Sequence, residues 1–273
     1  MTGKNNNLFT VFSKPWPDKT LPELAKFIKE LGFDGVELPV RDNFQVTPAK
    51  VSKGLSEAAK IFEDNGVKIG SVAGPTDIET IAACGEAGVP IIRVCINIDM
   101  SIGYFETEKK IRKEFDAVLP ALEEHGVTIG IQNHADYQIG SAIGVMHLIE
   151  GYDPKLVGAV LDTAHCGLAG EPDEMAIDIV WSHLILVNLK SAFRKRITGP
   201  EAEDVKWKKH WTTARHGITS WPVVTQELKK RGYGGDYCLT AEYSNPSGNG
   251  ALSGDDVNRL AAEDIVYAKS LFA

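Results

Sequence analysis

The sequence has few features that would cross-link it or place it in a membrane. It contains only four cysteines, and their positions lack the paired spacing of a zinc ribbon or a disulfide framework. No apolar run approaches the roughly 20 residues that a membrane helix requires. The first seven residues, 1–7, are polar and lack the apolar core of a signal peptide. We therefore expect a soluble cytoplasmic protein whose thiols are free.

Basic residues are also too few for a general nucleic-acid-binding protein. The chain has 29 Lys and Arg residues and 37 Asp and Glu residues, which gives a formal net charge of -8. A nucleic-acid-binding face is basic, so the composition argues against that class of partner. The length of 273 residues, 43% of them hydrophobic, suits one α/β barrel of about 250 residues. We predict a single domain over residues 1–273.

Strand-like and helix-like segments alternate along the whole chain. The predicted strands lie near residues 8–12, 35–40, 67–73, 91–96, 126–134, 156–162, 184–190 and 236–242. The predicted helices lie near residues 21–31, 48–65, 76–88, 106–125, 141–150, 173–181, 220–231 and 255–271. Eight such repeats predict a single (β/α)8 TIM barrel of the α/β class. An open doubly wound sheet is the alternative, but no Gly-rich phosphate fingerprint follows the first strand.

Polar residues follow several apolar strands at the point where each strand ends. They are Gln132, His134, Asp162, His165, Asn188, Lys190 and Glu242. Because the carboxyl ends of barrel strands meet at one face, these side chains are expected to share a pocket there.

Residues 191–217 form an unusually long connection that is rich in Lys and Arg. One interpretation is a solvated loop whose bases pair with Glu201, Glu203 and Asp204. The favoured interpretation is a lid that supplies donors to an anionic or polyhydroxylated substrate, with Arg194 and Trp211 as contacts.

Three further residues at predicted strand ends have open roles. Trp16 would stack on a sugar ring or pack under a loop. Arg41 would clamp substrate or pair with Asp42. For Glu37 we expect a helix-capping or inter-strand role rather than catalysis.

The motifs at residues 32–37, 126–134 and 162–165, with the last strand ending at Glu242, resemble the xylose isomerase-like family of sugar isomerases and epimerases. The resemblance implies a barrel with one divalent metal ion at its carboxyl end. The family's metal ligands are a Glu, an Asp, a His and a Glu on strands five to eight. The two Glu residues move a proton on a carbon next to a carbonyl, while the metal polarises the substrate oxygens.

Carried over by position, the ligand set matches Asp162 and Glu242 and departs at Gln132 and Asn188, which replace the Glu and the His. His165 matches the family's substrate-contacting His. An amide oxygen can bind a hard cation, but Gln cannot accept a proton and Asn is a poor ligand for softer metals. The resemblance therefore implies Mn²⁺ or Mg²⁺ rather than Zn²⁺. The alternative is a lost metal site whose amides contact only substrate hydroxyls.

The expected activity is a metal-assisted proton shift on a sugar, sugar acid or keto-sugar. Glu242 would be the base, and His165 and Lys190 would handle substrate oxygens. His134 would contact substrate or be a satisfied core histidine. A lyase or dehydratase, or a sugar-binding protein without turnover, are the alternatives. The expected partner is a small carbohydrate, not nucleic acid or membrane. The sequence permits a homo-oligomer without fixing its number of subunits.

Overall fold

The computed structural model describes residues 7–247 and 250–272. Eight parallel strands close into a barrel, and the last of them pairs with the first. The strands of the chain are β1 (Phe9–Phe12), β2 (Gly35–Pro39), β3 (Lys68–Ala73), β4 (Ile91–Val94), β5 (Thr128–Gln132), β6 (Val157–Asp162), β7 (Leu184–Leu189), β8 (Ser191–Arg196), β9 (Trp207–Thr212) and β10 (Asp236–Leu239). The barrel runs from β1 through β7 and closes through β10. The predicted (β/α)8 barrel is confirmed.

Helices follow the strands along the chain. They are α1 (Leu21–Leu31), α2 (Val51–Asp64), α3 (Ile78–Glu86), α4 (Tyr104–His125), α5 (Ala142–Ile149), α6 (Thr163–Ala169), α7 (Asp173–Val180), α8 (Trp221–Arg231) and α9 (Asp255–Ser270), with 3₁₀ turns at Pro48–Lys50 and Trp181–His183. Local signals set their ends. The backbone N–H of Thr20 donates to the Glu23 carboxylate at 2.8 Å before α1, and Gly32 ends that helix with a φ of 96°.

The short helix α6 was absent from the predicted set. The Asp162 side chain caps it by accepting the His165 backbone N–H at 3.2 Å. Five of its seven residues are buried. A helix buried nearly all round has no amphipathic pattern, so periodicity could not reveal it.

The inside of the barrel divides into an apolar floor and a polar upper end. Side chains alternate along a strand, so Val160 and Asp162 share one face of β6, and Leu186 and Asn188 share one face of β7. Val160 and Leu186 pack with Phe12 in a buried cluster. The polar residues therefore lie one layer above this floor, at the carboxyl ends of the strands.

The basic stretch at residues 191–217, which was expected to be a loop, contains a hairpin. Strands β8 and β9 pair antiparallel outside the barrel, with Arg194 opposite Lys209 and Lys195 opposite Lys208. Like charges directly opposite each other weaken a strand pair. The base of the hairpin is anchored by Ala192, which is buried in a cluster with residues of α6.

All four cysteines are free, as expected, and three of them are buried. Cys84 lies in α3, within the helix predicted near residues 76–88. Within the described ranges, no helix has both the length and the apolar character needed to cross a membrane.

Candidate active site

A cavity of about 500 Å³ lies at the carboxyl ends of the barrel strands. The functional groups that line it follow β1, β2, β5, β7 and β10 or lie within β4 and β5. They include Lys14, Arg41, Arg93, Gln132, His134, Lys190 and Glu242. The position is the one where a TIM barrel carries its active site.

Glu242 is held between two lysines at the wall of this cavity. Lys190 Nζ donates to Glu242 Oε2 at 2.6 Å, and Lys14 Nζ donates to Oε1 at 2.5 Å. Burial raises the pKa of the Glu242 carboxyl, but the ammonium groups of Lys190 and Lys14 outweigh it and lower the pKa to about 2. Glu242 is therefore ionised, and both of its oxygens are engaged by cations.

Asp162 lies behind the cavity wall and is fully buried. Gln132 Nε2 donates to its Oδ2 at 2.8 Å, while Oδ1 caps α6. Its backbone N–H donates to Asn133 Oδ1 at 2.7 Å. Burial raises the pKa of Asp162 to about 6. Both carboxylate oxygens are thus used within the protein.

His165 is buried and does not line the cavity. Its Nδ1 accepts the backbone N–H of Ala135 at 2.9 Å, so the proton of the neutral ring is on Nε2. Burial, and then the positive charge of Lys190, lower the pKa of His165 far below its ordinary range. The ring is therefore neutral.

Aromatic rings connect His165 to the cavity. The His134 ring, which lines the cavity, lies 4.0 Å from the His165 ring between centroids, and the Trp211 ring lies 5.1 Å away on the hairpin. Lys190 Nζ sits 4.0 Å from the Trp211 centroid. Trp211 thus positions the Lys190 ammonium by a cation–π contact, although it does not itself line the cavity.

Two guanidinium groups lie on the other side of the cavity. Arg93 donates through Nε to Glu37 Oε1 at 3.1 Å and through a terminal nitrogen to Oε2. The carboxylate also accepts Ser71 Oγ at 3.1 Å, so Glu37 has the inter-strand role expected of it. Both Arg93 and Arg41 stack on the Phe12 ring, at 4.6 and 5.6 Å from its centroid.

Lys14 and Arg93 were missed by the sequence reasoning. Lys14 follows the end of β1 by two residues, as His134 follows β5, and the same pattern could have identified it. Arg93 lies inside the apolar strand β4, where a charge needs a buried partner. That partner, Glu37, is two strands away and no local pattern connects them.

Asn188 is fully buried on β7, beside Asp162 in the strand register. Neither its Oδ1 nor its Nδ2 has a hydrogen-bond partner among the described residues. It does not line the cavity. A buried amide without a protein partner is unusual.

Two predicted substrate contacts lie away from the cavity. Trp16 is buried, packs on Phe27 with 5.1 Å between ring centroids, and donates its indole N–H to Asn258 at 2.8 Å. Arg194 lies on the exposed face of β8 and contacts the Leu168 carbonyl at 3.5 Å. Trp16 therefore has the packing role that was its alternative.

The four residues carried over as metal ligands do not fit a divalent ion as they stand. Gln132 turns its amide nitrogen, not its oxygen, toward Asp162, and Glu242 is occupied by two ammonium groups. Of the four, Asn188 alone has side-chain polar atoms without a hydrogen-bond partner among the described residues. Over residues 7–247 and 250–272, no three His, Cys, Asp or Glu side chains are grouped to hold a metal.

The chain belongs to the xylose isomerase-like TIM barrel family, whose family model matches residues 25–265. No curated protein matches the sequence at a significant level.

Solved structures share the fold at low sequence identity. D-psicose 3-epimerase with D-tagatose from Clostridium cellulolyticum H10 is 15% identical with a TM-score of 0.74, over 97% of this chain and 99% of that one. A xylose isomerase-like TIM barrel protein from Mycobacterium smegmatis in complex with magnesium is 14% identical with a TM-score of 0.70, over 99% and 98%. The probable 3-DHS dehydratase from Bacillus anthracis is 11% identical with a TM-score of 0.68, over 96% and 98%.

Proposed function

We propose that this protein is an enzyme of the sugar isomerase and epimerase type, which moves a proton on a carbon next to a carbonyl group. The observation that carries the proposal is the pair of Lys190 and Glu242, 2.6 Å apart in the cavity at the carboxyl end of the barrel. A carboxylate and an ammonium group side by side supply the base and the electrophile that enolisation needs. The epimerases among the structural neighbours support the same class of reaction.

In the proposed mechanism the substrate carbonyl oxygen takes a hydrogen bond from the Lys190 ammonium. Glu242 removes the proton from the adjacent carbon, and the negative charge that develops on the oxygen is stabilised by Lys190. Glu242 then returns this proton to the former carbonyl carbon, while the hydroxyl proton on the adjacent carbon passes to the former carbonyl oxygen, which completes an aldose–ketose isomerisation. Trp211 holds Lys190 from behind, since its ring faces the ammonium at 4.0 Å.

The two lysines make Glu242 a weak base in the free enzyme. A substrate whose oxygens accept hydrogen bonds from Lys14 and Lys190 draws those ammonium groups away from the carboxylate. The basicity of Glu242 then rises when substrate is bound, which couples proton abstraction to binding.

Isomerisation fits this cavity better than epimerisation. Glu242 is the single carboxylate among the described residues that line it. One base can carry a proton between adjacent carbons on one face of an enediolate, whereas epimerisation needs a second proton donor on the opposite face. His134 lines the cavity, but burial lowers its pKa, so its ring is less often protonated and is a poor proton donor for that task.

The Mn²⁺ or Mg²⁺ that the resemblance predicts has no step in this proposal. The charge that a metal would place beside the substrate oxygens is supplied here by Lys190, with Lys14 close by. Gln132 lines the cavity but donates to Asp162, which does not, so the two do not form an open ligand pair.

Exchange of a substrate C–H proton in D₂O, followed by ¹H NMR over a panel of aldoses, ketoses and keto-sugar acids, tests the proposal. We expect the wild type to exchange one C–H next to the carbonyl of its substrate. Glu242→Gln should abolish the exchange, and Lys190→Met should slow it by about 10²–10³-fold. Lys195→Met, on the exposed hairpin, is the matched control and should retain the wild-type rate.

Other outcomes would overturn the proposal. A dehydrated keto product in place of an isomer would assign the protein to the lyases, the reaction class named for one structural neighbour. Tight sugar binding without exchange in any compound would indicate a binding protein. Exchange that persists in Glu242→Gln would show that another group is the base.

A further inference from the structure

The cavity carries an excess of positive charge, although the protein as a whole is acidic. Four cationic side chains line it, Lys14, Arg41, Arg93 and Lys190. Glu37 neutralises Arg93, and Glu242 is shared by the two lysines. Two carboxylates against four cations leave a surplus of two charges. Even with Asp162 counted as ionised behind the wall, one cation remains without a counterpart.

That cation is Arg41. Within the part of the chain that the structure describes, no carboxylate lies within 4.0 Å of its guanidinium, and Asp42 is not its partner. Its guanidinium lies over the Phe12 ring at 5.6 Å. The backbone is fixed as well, because Arg41 N–H donates to the Val46 carbonyl at 3.1 Å and its own carbonyl accepts the Phe44 N–H at 3.3 Å. Arg41 thus has a fixed backbone and an exposed side chain with no ion pair among the described residues.

The order of strands places these charges in sequence round the barrel. Lys190 follows β7, Glu242 follows β10, Lys14 follows β1 and Arg41 follows β2, and these four strands are consecutive neighbours. Strands β10 and β2 flank β1, so their axes lie about 10 Å apart. Lys14 therefore lies between the reacting pair and Arg41.

We propose that the substrate carries an anionic group, a carboxylate or a phosphate, that binds to Arg41 with Lys14 beside it. Arginine presents a planar fork of N–H donors that matches both groups with two parallel hydrogen bonds. The anion would hold one end of the substrate while the carbonyl end meets Lys190 and Glu242. This inference rests on the proposed function for the identity of the reacting end, and on the charge of the cavity for the anionic end.

Calorimetry with four probes tests the inference: D-fructose, D-fructose 6-phosphate, D-gluconate and inorganic phosphate, each at low ionic strength. We expect at least one anionic sugar to bind at least tenfold more tightly than D-fructose, with an affinity that falls as salt is added. Tighter binding of D-gluconate would identify a carboxylate, and tighter binding of D-fructose 6-phosphate would identify a phosphate ester.

Substitution of Arg41 then locates the anion. Arg41→Gln should weaken binding of the anionic sugar at least tenfold and leave that of D-fructose unchanged, and Arg41→Lys should recover part of the loss. Arg215→Gln is the matched control, because Arg215 also stacks on an aromatic ring, that of Tyr267 at 3.7 Å, but lies outside this cavity. Its affinities should equal those of the wild type.

The inference fails if D-fructose binds as tightly as the anions, if no anion binds saturably, or if Arg41→Gln and Arg215→Gln behave alike. These results are distinct from failure of the proposed function. Anions that bind through Arg41 without C–H exchange in any compound would overturn the isomerase assignment alone. Exchange that is confined to neutral sugars would overturn the anionic substrate alone.

Discussion

The hydroxyl of Tyr243 donates to Asp264 Oδ2 at 3.0 Å. Tyr243 directly follows Glu242, the proposed base, in the chain. Asp264 lies in α9, and its Oδ1 accepts the backbone N–H of Ala214 at 3.0 Å. One buried carboxylate therefore ties α9 both to the segment after β10, which includes Glu242, and to the segment after the hairpin. Burial raises the pKa of Asp264 to about 6.

This pKa predicts how the stability of the wild type should compare with that of Asp264→Asn as pH changes. The pKa of Asp264 is higher in the folded state than the unfolded value of about 3.9. Its contribution to the stability of the fold is therefore complete below pH 4 and is lost as pH rises through 6. Asparagine does not titrate and can keep both contacts. The difference in melting temperature between Asp264→Asn and the wild type should therefore shift by several degrees in favour of the variant from pH 4 to pH 7. The exposed Asp18→Asn serves as the control, and a difference independent of pH would contradict the prediction.

The buried pair of Arg93 and Glu37 should be sensitive to loss of either partner. Removing one partner leaves an uncompensated buried charge, so we expect Glu37→Leu or Arg93→Leu to lower the free energy of unfolding by about 3–5 kcal/mol. The double variant should be less unstable than the sum of the single variants, because it leaves neither charge buried. Urea unfolding of the three variants measures this. Additive losses would mean that the two groups do not stabilise each other.

Asn188 should be replaceable by an apolar residue with a gain in stability. Both of its amide atoms are buried and have no partner in the part of the chain that the structure describes, and such groups cost about 1–3 kcal/mol through lost hydration. We expect Asn188→Leu to raise the melting temperature, and Asn133→Leu, which removes a fully bonded amide, to lower it. A lower melting temperature for Asn188→Leu would instead indicate that the amide binds a buried water or a ligand.

Metal binding should be weak in the wild type and should appear when the family's ligands are restored. Gln132→Glu places a second carboxylate against Asp162, and Asn188→His adds an imidazole beside it. The double variant should bind Mn²⁺ more tightly than either single variant in calorimetry. Tight stoichiometric binding of Mn²⁺ by the wild type would show that the lysines release Glu242 to the metal, and that the resemblance predicts the ligands correctly.

Periodicity was sufficient for the barrel because each repeat carries its own local signals. Helix α1 begins and ends at the predicted residues, since Thr20 and Gly32 mark both ends. The hairpin of β8 and β9 was missed because its exposed strands carry Lys and Arg in place of an apolar alternation. Its charge was visible in the sequence, but its strand pairing was not.

The direction of side chains at the site was harder to predict than their position in the chain. Trp16 and Lys14 both follow β1 within four residues, yet only Lys14 lines the cavity. Trp16 instead packs on Phe27 and donates to Asn258, which belong to other parts of the chain. Likewise, the order of strand ends located Asp162, but only the folded structure shows that Gln132 and His165 use both of its oxygens.

The hairpin also determines where a protease would first cut this protein. Its base is fixed by buried residues, whereas the connection between β8 and β9, residues 197–206, is largely exposed and contains Lys206, a trypsin cleavage residue. Exposed connections of this kind are preferred sites of proteolytic nicking. Brief trypsin treatment should therefore produce two fragments that separate under denaturing conditions. Under native conditions the fragments should stay together, because β10 remains hydrogen-bonded between β7 and β1.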